Sequence, residues 1–275
     1  MLGRVPWAPE LFSAPVLQRL LDKYHRDRLR SVPFFDGVVT GEVDALVGSF
    51  AGTPEVHDPV RGRIRGERSF RRYLADLATW MASRGVEVED VNVLLTPPRG
   101  IEEVVLHLGT DGRLPLAVVA DHDERERIVE MRIYFSAVPL MGRRVHRPPL
   151  LGPGTDRVPD VVGRLRSALA AGDVEATLAA FEPDGCVRRA DGGVHRGRDA
   201  LRELYQGRVL GDDPAVLELC TVTEGDAVCA VEHNVLGGPS VPPRAALTVL
   251  DLGTDRTIAT ARIYDDAGPP EGALA

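Results

Sequence analysis

Apolar residues recur at helical spacing over residues 8–31, where Leu11, Val16, Leu17, Leu20, Leu21 and Tyr24 form a stripe that predicts a leading helix. A second helical pattern ends at Gly41, a natural left-handed cap. Val43, Leu46, Val47 and Phe50 then define a short helix. After Gly66, the residues Phe70, Tyr73, Leu74, Leu77, Trp80 and Met81 mark a longer amphipathic one. Between these lies a short strand at Glu55–Asp58, and beyond them the period changes from 3.6 to two. Residues 103–108, 114–120 and 127–135 alternate as strands do. Helices followed by an antiparallel sheet is the α+β class.

The same order then returns. Residues 148–156 hold three prolines and two glycines, the composition of a linker. On its two sides Gly41-Glu42-Val43-Asp44-Ala45 matches Gly172-Asp173-Val174-Glu175-Ala176. Phe50 matches Phe181, Val56 matches Val187, and Arg65-Gly66 matches Arg196-Gly197, every pair 131 residues apart. Arg132-Ile133-Tyr134 and Arg262-Ile263-Tyr264 stand 130 apart. A nearly constant offset across the chain indicates duplication of a whole domain. The expected organisation is an extension at 1–31, domain 1 at 32–146, a linker at 147–157 and domain 2 at 158–275. In the second copy the strands fall at 186–189, 227–235, 244–251 and 257–264.

The last strand of each copy carries two faces. Val129, Met131, Ile133 and Phe135 point one way, towards a domain interior; Glu130, Arg132 and Tyr134 point the other. Arg132 and Tyr134 recur as Arg262 and Tyr264 on the matching face of the second copy.

The run Gly41-Glu42-Val43-Asp44, Phe50-Ala51, Val56-His57-Asp58-Pro59, Arg65-Gly66 and Met131-Arg132-Ile133-Tyr134-Phe135 resembles the NTF2-like superfamily, and within it the SnoaL-like and ketosteroid-isomerase-like branches. The resemblance covers residues 32–140 and 159–270. It implies two cone-shaped domains, each a curved sheet wrapped round helices with an apolar pocket inside, and an apolar small molecule as ligand. Members of the superfamily commonly dimerise through the outer sheet face, so with Arg132 and Tyr134 repeated as Arg262 and Tyr264 the resemblance implies an internal pseudo-dimer of the two copies, a further homodimer staying open. It also implies a carboxylate general base at Asp58. The tyrosine and protonated aspartic acid that complete an oxyanion hole in ketosteroid isomerases are replaced by Phe34 and, on the strand, by Val118. In domain 2, Arg189 stands in the place of Asp58 and Leu165 in that of the tyrosine. Arginine cannot serve as a base near neutral pH, so any activity is expected in domain 1.

The candidate chemistry follows. Asp58 is the expected base, with pocket burial raising its pKa, and His57 or His107 its orienting or acidic partner. Asp-Pro also starts turns, the competing role for Asp58. Phe34, Tyr73, Trp80, Val118 and Met131 are expected to shape the substrate pocket, and Arg189 and His233 the second pocket. Asp121-His122-Asp123 reads as a hairpin tip whose alternating side chains cannot converge on one ion. Asp265-Asp266 reads as a surface turn.

Composition narrows the class. Net charge is −8 at pH 7, which disfavours nucleic acid and anionic membrane. The most basic stretch, residues 61–72, is interleaved with Glu67 and Phe70 and reads as a solvated helix face. No apolar run has a membrane-spanning length, and the first ten residues lack a signal-peptide core. With three cysteines, expected to be buried thiols, the chain reads as cytoplasmic. Lys23 is the single lysine, so Schiff-base chemistry is not expected. Neither HExxH nor CxxC occurs, so no metal is expected, and no cofactor. The leading expectation is a cofactor-independent isomerase, dehydratase or cyclase acting on a polyketide- or steroid-like substrate. The rivals are a non-catalytic binder or scaffold and an epoxide hydrolase or epoxide-opening cyclase. Asp58 and His107 pointing into one closed cavity, with the Asp58 pKa raised, is the sign expected of an enzyme; a filled core in both halves is the sign expected of a scaffold.

Overall fold

A computed structural model describes residues 34–109, 112–209, 216–236, 242–253 and 255–266. The helix expected at 8–31 lies outside them. Domain 1 runs α1 (Phe34–Thr40), α2 (Val43–Gly48), β1 (Glu55–Asp58), β2 (Gly62–Arg65), α3 (Glu67–Ser83), β3 (Glu87–Thr96), β4 (Arg99–His107), β5 (Arg113–His122), β6 (Ile128–Tyr134) and a turn of helix α4 (Val138–Met141). Domain 2 repeats the order as α5 (Asp160–Ala171), α6 (Val174–Ala179), β7 (Phe181–Arg189), β8 (Val194–Arg196), α7 (Gly197–Val209), β9 (Val216–Glu224), β10 (Val228–Leu236), β11 (Arg244–Leu252) and β12 (Ile258–Tyr264).

Each domain has a six-stranded sheet with the same topology: β2-β1-β6-β5-β4-β3 in one and β8-β7-β12-β11-β10-β9 in the other. The first strand joins the last in parallel (Val56 opposite Met131), and the remaining pairs are antiparallel. Gly41 and Gly172 adopt φ of 75° and 66°, the left-handed cap that lets each first helix stop and the chain turn into the second. On α3 the stripe Phe70, Tyr73, Leu74 and Met81 is buried against the concave face of the first sheet, where Val104, Leu106, Leu116 and Ile133 complete the core. These are buried side chains of the size that contribute roughly 1.5–3 kcal/mol each.

The sequence pattern omits β2, β3, β8 and β9. All four are edge strands, and β3 alternates imperfectly: Glu87-Val88-Glu89-Asp90 is charged and exposed for most of its length. An edge strand covered on one side only carries a weak period-two signal.

The outer faces of the two sheets meet. Leu94, Ile101, Ala117, Val119 and Tyr134 of domain 1 share one apolar cluster with Ala230, Ala245, Leu247, Val249 and Tyr264 of domain 2. Charge is set into this layer with two-fold regularity. Arg132 is wholly buried and makes a bidentate pair with Glu232, Nε to Oε1 at 2.7 Å and Nη2 to Oε2 at 3.0 Å. Arg262 makes the mirror pair with Glu103, at 2.7 and 2.9 Å. Tyr134 Oη donates to Glu232 at 2.7 Å and Tyr264 Oη to Glu103 at 2.8 Å. Burial alone pushes the Glu232 carboxyl up, but Arg132 and the hydroxyls of Thr221 and Tyr134 outweigh it and hold the group below its ordinary value.

The segment joining the domains lies against both. Arg147 stacks over the Tyr134 ring at 4.5 Å and donates to the carbonyls of Ile133 and His57. The carbonyl of Arg147 accepts from Ala245 N–H of domain 2 at 3.1 Å. Cys186, Cys220 and Cys229 are buried free thiols, and burial pushes the Cys229 thiol up to about 12.

Candidate functional site

Domain 1 encloses a mainly apolar cavity between its helices and the concave face of its sheet, with about 670 Å³ of empty space counting the open mouth. Phe34 of α1, Leu46 of α2 and Phe70 of α3 form one wall; Val118, Met131 and Ile128 of the sheet form another. Two ionisable side chains lie on this lining, Glu102 on β4 and His122 at the end of β5.

Glu102 owes its place to strand alternation. With Val104 and Leu106 it shares the concave face, while its neighbour Glu103 points outward to Arg262. Inside the cavity its Oε2 accepts the backbone N–H of Phe34 at 3.3 Å. Burial raises the Glu102 pKa to about 7; the Phe34 hydrogen bond opposes this, and the charges of Asp90 and Asp36 add to it. A carboxyl so placed is divided between acid and base near neutrality.

His122 is half-buried, and desolvation lowers its pKa although Asp121, Glu126 and Asp123 pull the other way. The imidazole is therefore neutral near pH 7, able to donate from one nitrogen and accept at the other. Gly100, two residues before Glu102 on the same face, makes room for it: a Cβ there would lie 3.1 Å from His122 Cε1.

The structure does not bring Asp58, His57 and His107 together. Asp58 is buried, but its carboxylate is taken up by a turn. Oδ1 accepts the N–H groups of Val60 and Arg61 at 2.8 and 2.7 Å, and Oδ2 accepts Tyr73 Oη at 3.0 Å. It is not among the cavity-lining residues. His57 points to the opposite face, 3.3 Å from Glu55 and 3.7 Å from Glu130. These three place ligand-capable atoms within 4.8 Å of one another. The carboxylates are already paired, Glu55 with Arg63 at 2.7 Å and Glu130 with Arg132 at 3.0 Å, so the group is an ion network. His107 shares the outer face with Glu103 and pairs with Glu89 at 2.6 Å, more than a third exposed.

Of the residues expected to shape the pocket, Phe34, Val118 and Met131 line it. Tyr73 stands behind Phe34, ring centroids 6.5 Å apart, and Trp80 lies under Arg84 at the edge of the core. In domain 2, His233 lines an equivalent cavity; Arg189 pairs with Asp191 at 3.2 Å outside it. Asp265, expected in a surface turn, is buried on that second cavity's wall.

The turn around Asp58 yields a stability prediction. Asp58→Ala removes the acceptor for three donors and should cost about 1–3 kcal/mol. Asp58→Asn keeps Oδ1 for both N–H groups and should cost under about 1 kcal/mol. Urea midpoints of the two variants check the difference.

Comparison with known proteins places this geometry. The model of the SnoaL-like domain matches residues 162–265. Within domain 2, residues 162–265 are similar to that family. Domain 1 repeats the strand order of domain 2 and holds a cavity in the equivalent place. No curated protein matches. Solved structures that align include a protein from Sinorhizobium meliloti assigned as a polyketide cyclase, 24% identical over 38% of this chain and 94% of its own, TM-score 0.35. Another is SalBIII, an epoxide hydrolase/cyclase-like enzyme of pyran ring formation in salinomycin, 20% identical over 38% and 87%, TM-score 0.34. A third, with a ketosteroid isomerase-like fold and bound trimethylamine, comes from Catenulispora acidiphila, 16% identical over 40% and 88%, TM-score 0.37.

Among the described residues no helix is long and apolar enough to cross a membrane. Of the two ionisable residues on the domain 1 cavity, the sequence pattern does not single out Glu102 and takes His122 for part of a hairpin tip, whereas His122 ends a strand and lines the cavity. One signal was available for the first: two adjacent glutamates, Glu102-Glu103, interrupt an otherwise apolar strand.

Proposed function

We propose that domain 1 is a cofactor-independent proton-transfer enzyme acting on an apolar, oxygenated small molecule, and that Glu102 is its base. One observation carries this reading: a carboxyl titrating at about 7 lines an apolar cavity that a neutral imidazole also lines. Ionised Glu102 would take a proton from a carbon next to a carbonyl, leaving an enolate; the resulting carboxylic acid would return that proton to another carbon of the same molecule. Protons balance over the cycle, and no oxidant or cofactor enters. His122 would donate a hydrogen bond to the enolate oxygen, the part that Phe34 and Val118 cannot play. Isomerisation is the simplest outcome, and dehydration or ring closure follows when the enolate expels or attacks a neighbouring group. A polyketide- or steroid-like substrate suits the apolar lining.

The test needs no knowledge of the natural substrate. 5-Nitrobenzisoxazole loses its ring C–H proton to a base while its N–O bond breaks, giving a coloured cyanophenolate. Wild-type protein should accelerate this elimination, Glu102→Gln should not, and Asp58→Asn should stay within about threefold of wild type. Equal rates for wild type and Glu102→Gln would sink the assignment.

A further inference from the structure

The two cavities occupy equivalent places but differ in which lining positions are polar. Register fixes the correspondence: Glu102 pairs with Val118 on the neighbouring strand, and in domain 2 Val231 pairs with Thr248. So the cavity-lining acid of domain 1 is replaced by Val231, and by the same offset as the last strand His122 is replaced by Leu252. Polar groups appear elsewhere instead. His233 stands where domain 1 has Val104, Thr248 where it has Val118, Asp265 where it has Phe135, and Arg166 where it has Phe35. The last exchange is the largest. Phe35 is a core side chain of domain 1, 3% exposed, whereas Arg166 puts a guanidinium on the wall of the second cavity.

Arg166 is incompletely satisfied there. Its Nε is buried and has no hydrogen-bond partner, and an Nη2 contact reaches the carbonyl of Leu217 only at 3.5 Å. A buried N–H of a cation without an acceptor costs stability and calls for an explanation. The carboxylate on the same wall, Asp265, faces another arginine, Arg244, at 3.4 Å. Apart from His233, Thr248 and Tyr205, the rest of the lining is apolar, formed by Val162, Leu165, Leu169 and Leu250 among others, with about 650 Å³ of empty space counting the mouth.

We infer that the cavity of domain 2 binds a small apolar molecule bearing a carboxylate, with Arg166 as the group that selects the charge. A carboxylate supplies the missing acceptor in the bidentate geometry a guanidinium favours, and its alkyl or aryl part fills the apolar remainder. The inference does not depend on proton transfer in domain 1.

Calorimetric titration of the full chain with hexanoate, 1-hexanol and hexylamine tests it. Hexanoate should bind at least tenfold more tightly than hexanol, with hexylamine weakest. Arg166→Gln should remove the preference while hexanol binding persists, Arg166→Lys should keep part of it, and Glu102→Gln should leave it unchanged. Equal affinity for hexanoate and hexanol, a preference that survives Arg166→Gln, or one that follows Glu102 overturns the inference. Should Arg166→Gln fail to fold, the Nε–H resonance of Arg166 in the wild-type chain decides. Hexanoate should move it downfield and hexanol should not; a resonance unmoved by hexanoate counts against the proposal.

Discussion

Glu102→Gln should lower the elimination rate about 10²–10⁴-fold, the span that removal of a positioned general base covers. Glutamine has the same shape and can still accept the Phe34 N–H, so the cavity and its affinity for an apolar ligand should hold. The pH profile gives a sharper signature. Wild-type activity should rise with pH through a single midpoint near 7, where burial has placed the Glu102 carboxyl, and then level off. An ordinary surface glutamate would give a midpoint near 4.3.

Stability should move the opposite way to activity. A carboxyl raised in the folded state binds more protons there than in the unfolded chain between its ordinary pKa and about 7. Over that window stability therefore falls as pH rises. Above it the wild-type chain carries a half-buried charge that Glu102→Gln lacks. The variant should be more stable at pH 8 by roughly 1–3 kcal/mol and indistinguishable at pH 4. Loss of activity with gain of stability is the exchange expected where a site holds an unfavourable charge for chemistry.

The architecture was legible because duplication prints the same scaffold positions twice, and their offset survives although most other residues have changed. Arg132 and Arg262 announced the shared face for the same reason. The chemistry was harder to read, and Glu102 shows why. A charged residue on an alternating strand is ordinarily assigned to the solvated face, and one face of a sheet is ordinarily solvated. Here both faces of β4 are covered, by helices on one side and by the second domain on the other. Glu102 and Glu103 are adjacent and point in opposite directions, Glu102 half-buried on a cavity wall and Glu103 buried against an arginine. His122 was hidden differently: its neighbours Asp121 and Asp123 do what their composition suggests, pairing with Arg99 and closing the turn at residues 123–127. The histidine between them points to the other face. Asp58 carried the family motif, yet the hydrogen bonds of Val60, Arg61 and Tyr73 give it a turn to hold.

Arg132→Ala should be the most destabilising single change among the interface residues, by about 3–5 kcal/mol. The loss is larger than the worth of the pair, because the substitution leaves Glu232 charged and 2% exposed with two hydroxyl donors and, as its nearest cation, Arg99 at 3.9 Å. Since the Glu232 carboxyl is held below its ordinary value, its contribution is complete above the ordinary glutamate range and fades as pH falls through the lowered folded value. The deficit of Arg132→Ala should therefore shrink in acid, as protonation neutralises the stranded group. Pairing Arg132→Met with Glu232→Leu should recover most of the loss, because two apolar side chains then replace two desolvated charges. Recovery should fall short of wild type by about 1–2 kcal/mol. Tyr134 and Thr221 lose an acceptor, and Asp121 keeps Arg99 at 2.7 Å but loses Arg132. Urea unfolding at pH 7 and pH 4 measures each term. If the single variant were as stable as wild type at pH 7, the two sheets would be held by the apolar layer of Ala117, Val119, Leu247 and Val249, with the ion pairs contributing alignment alone.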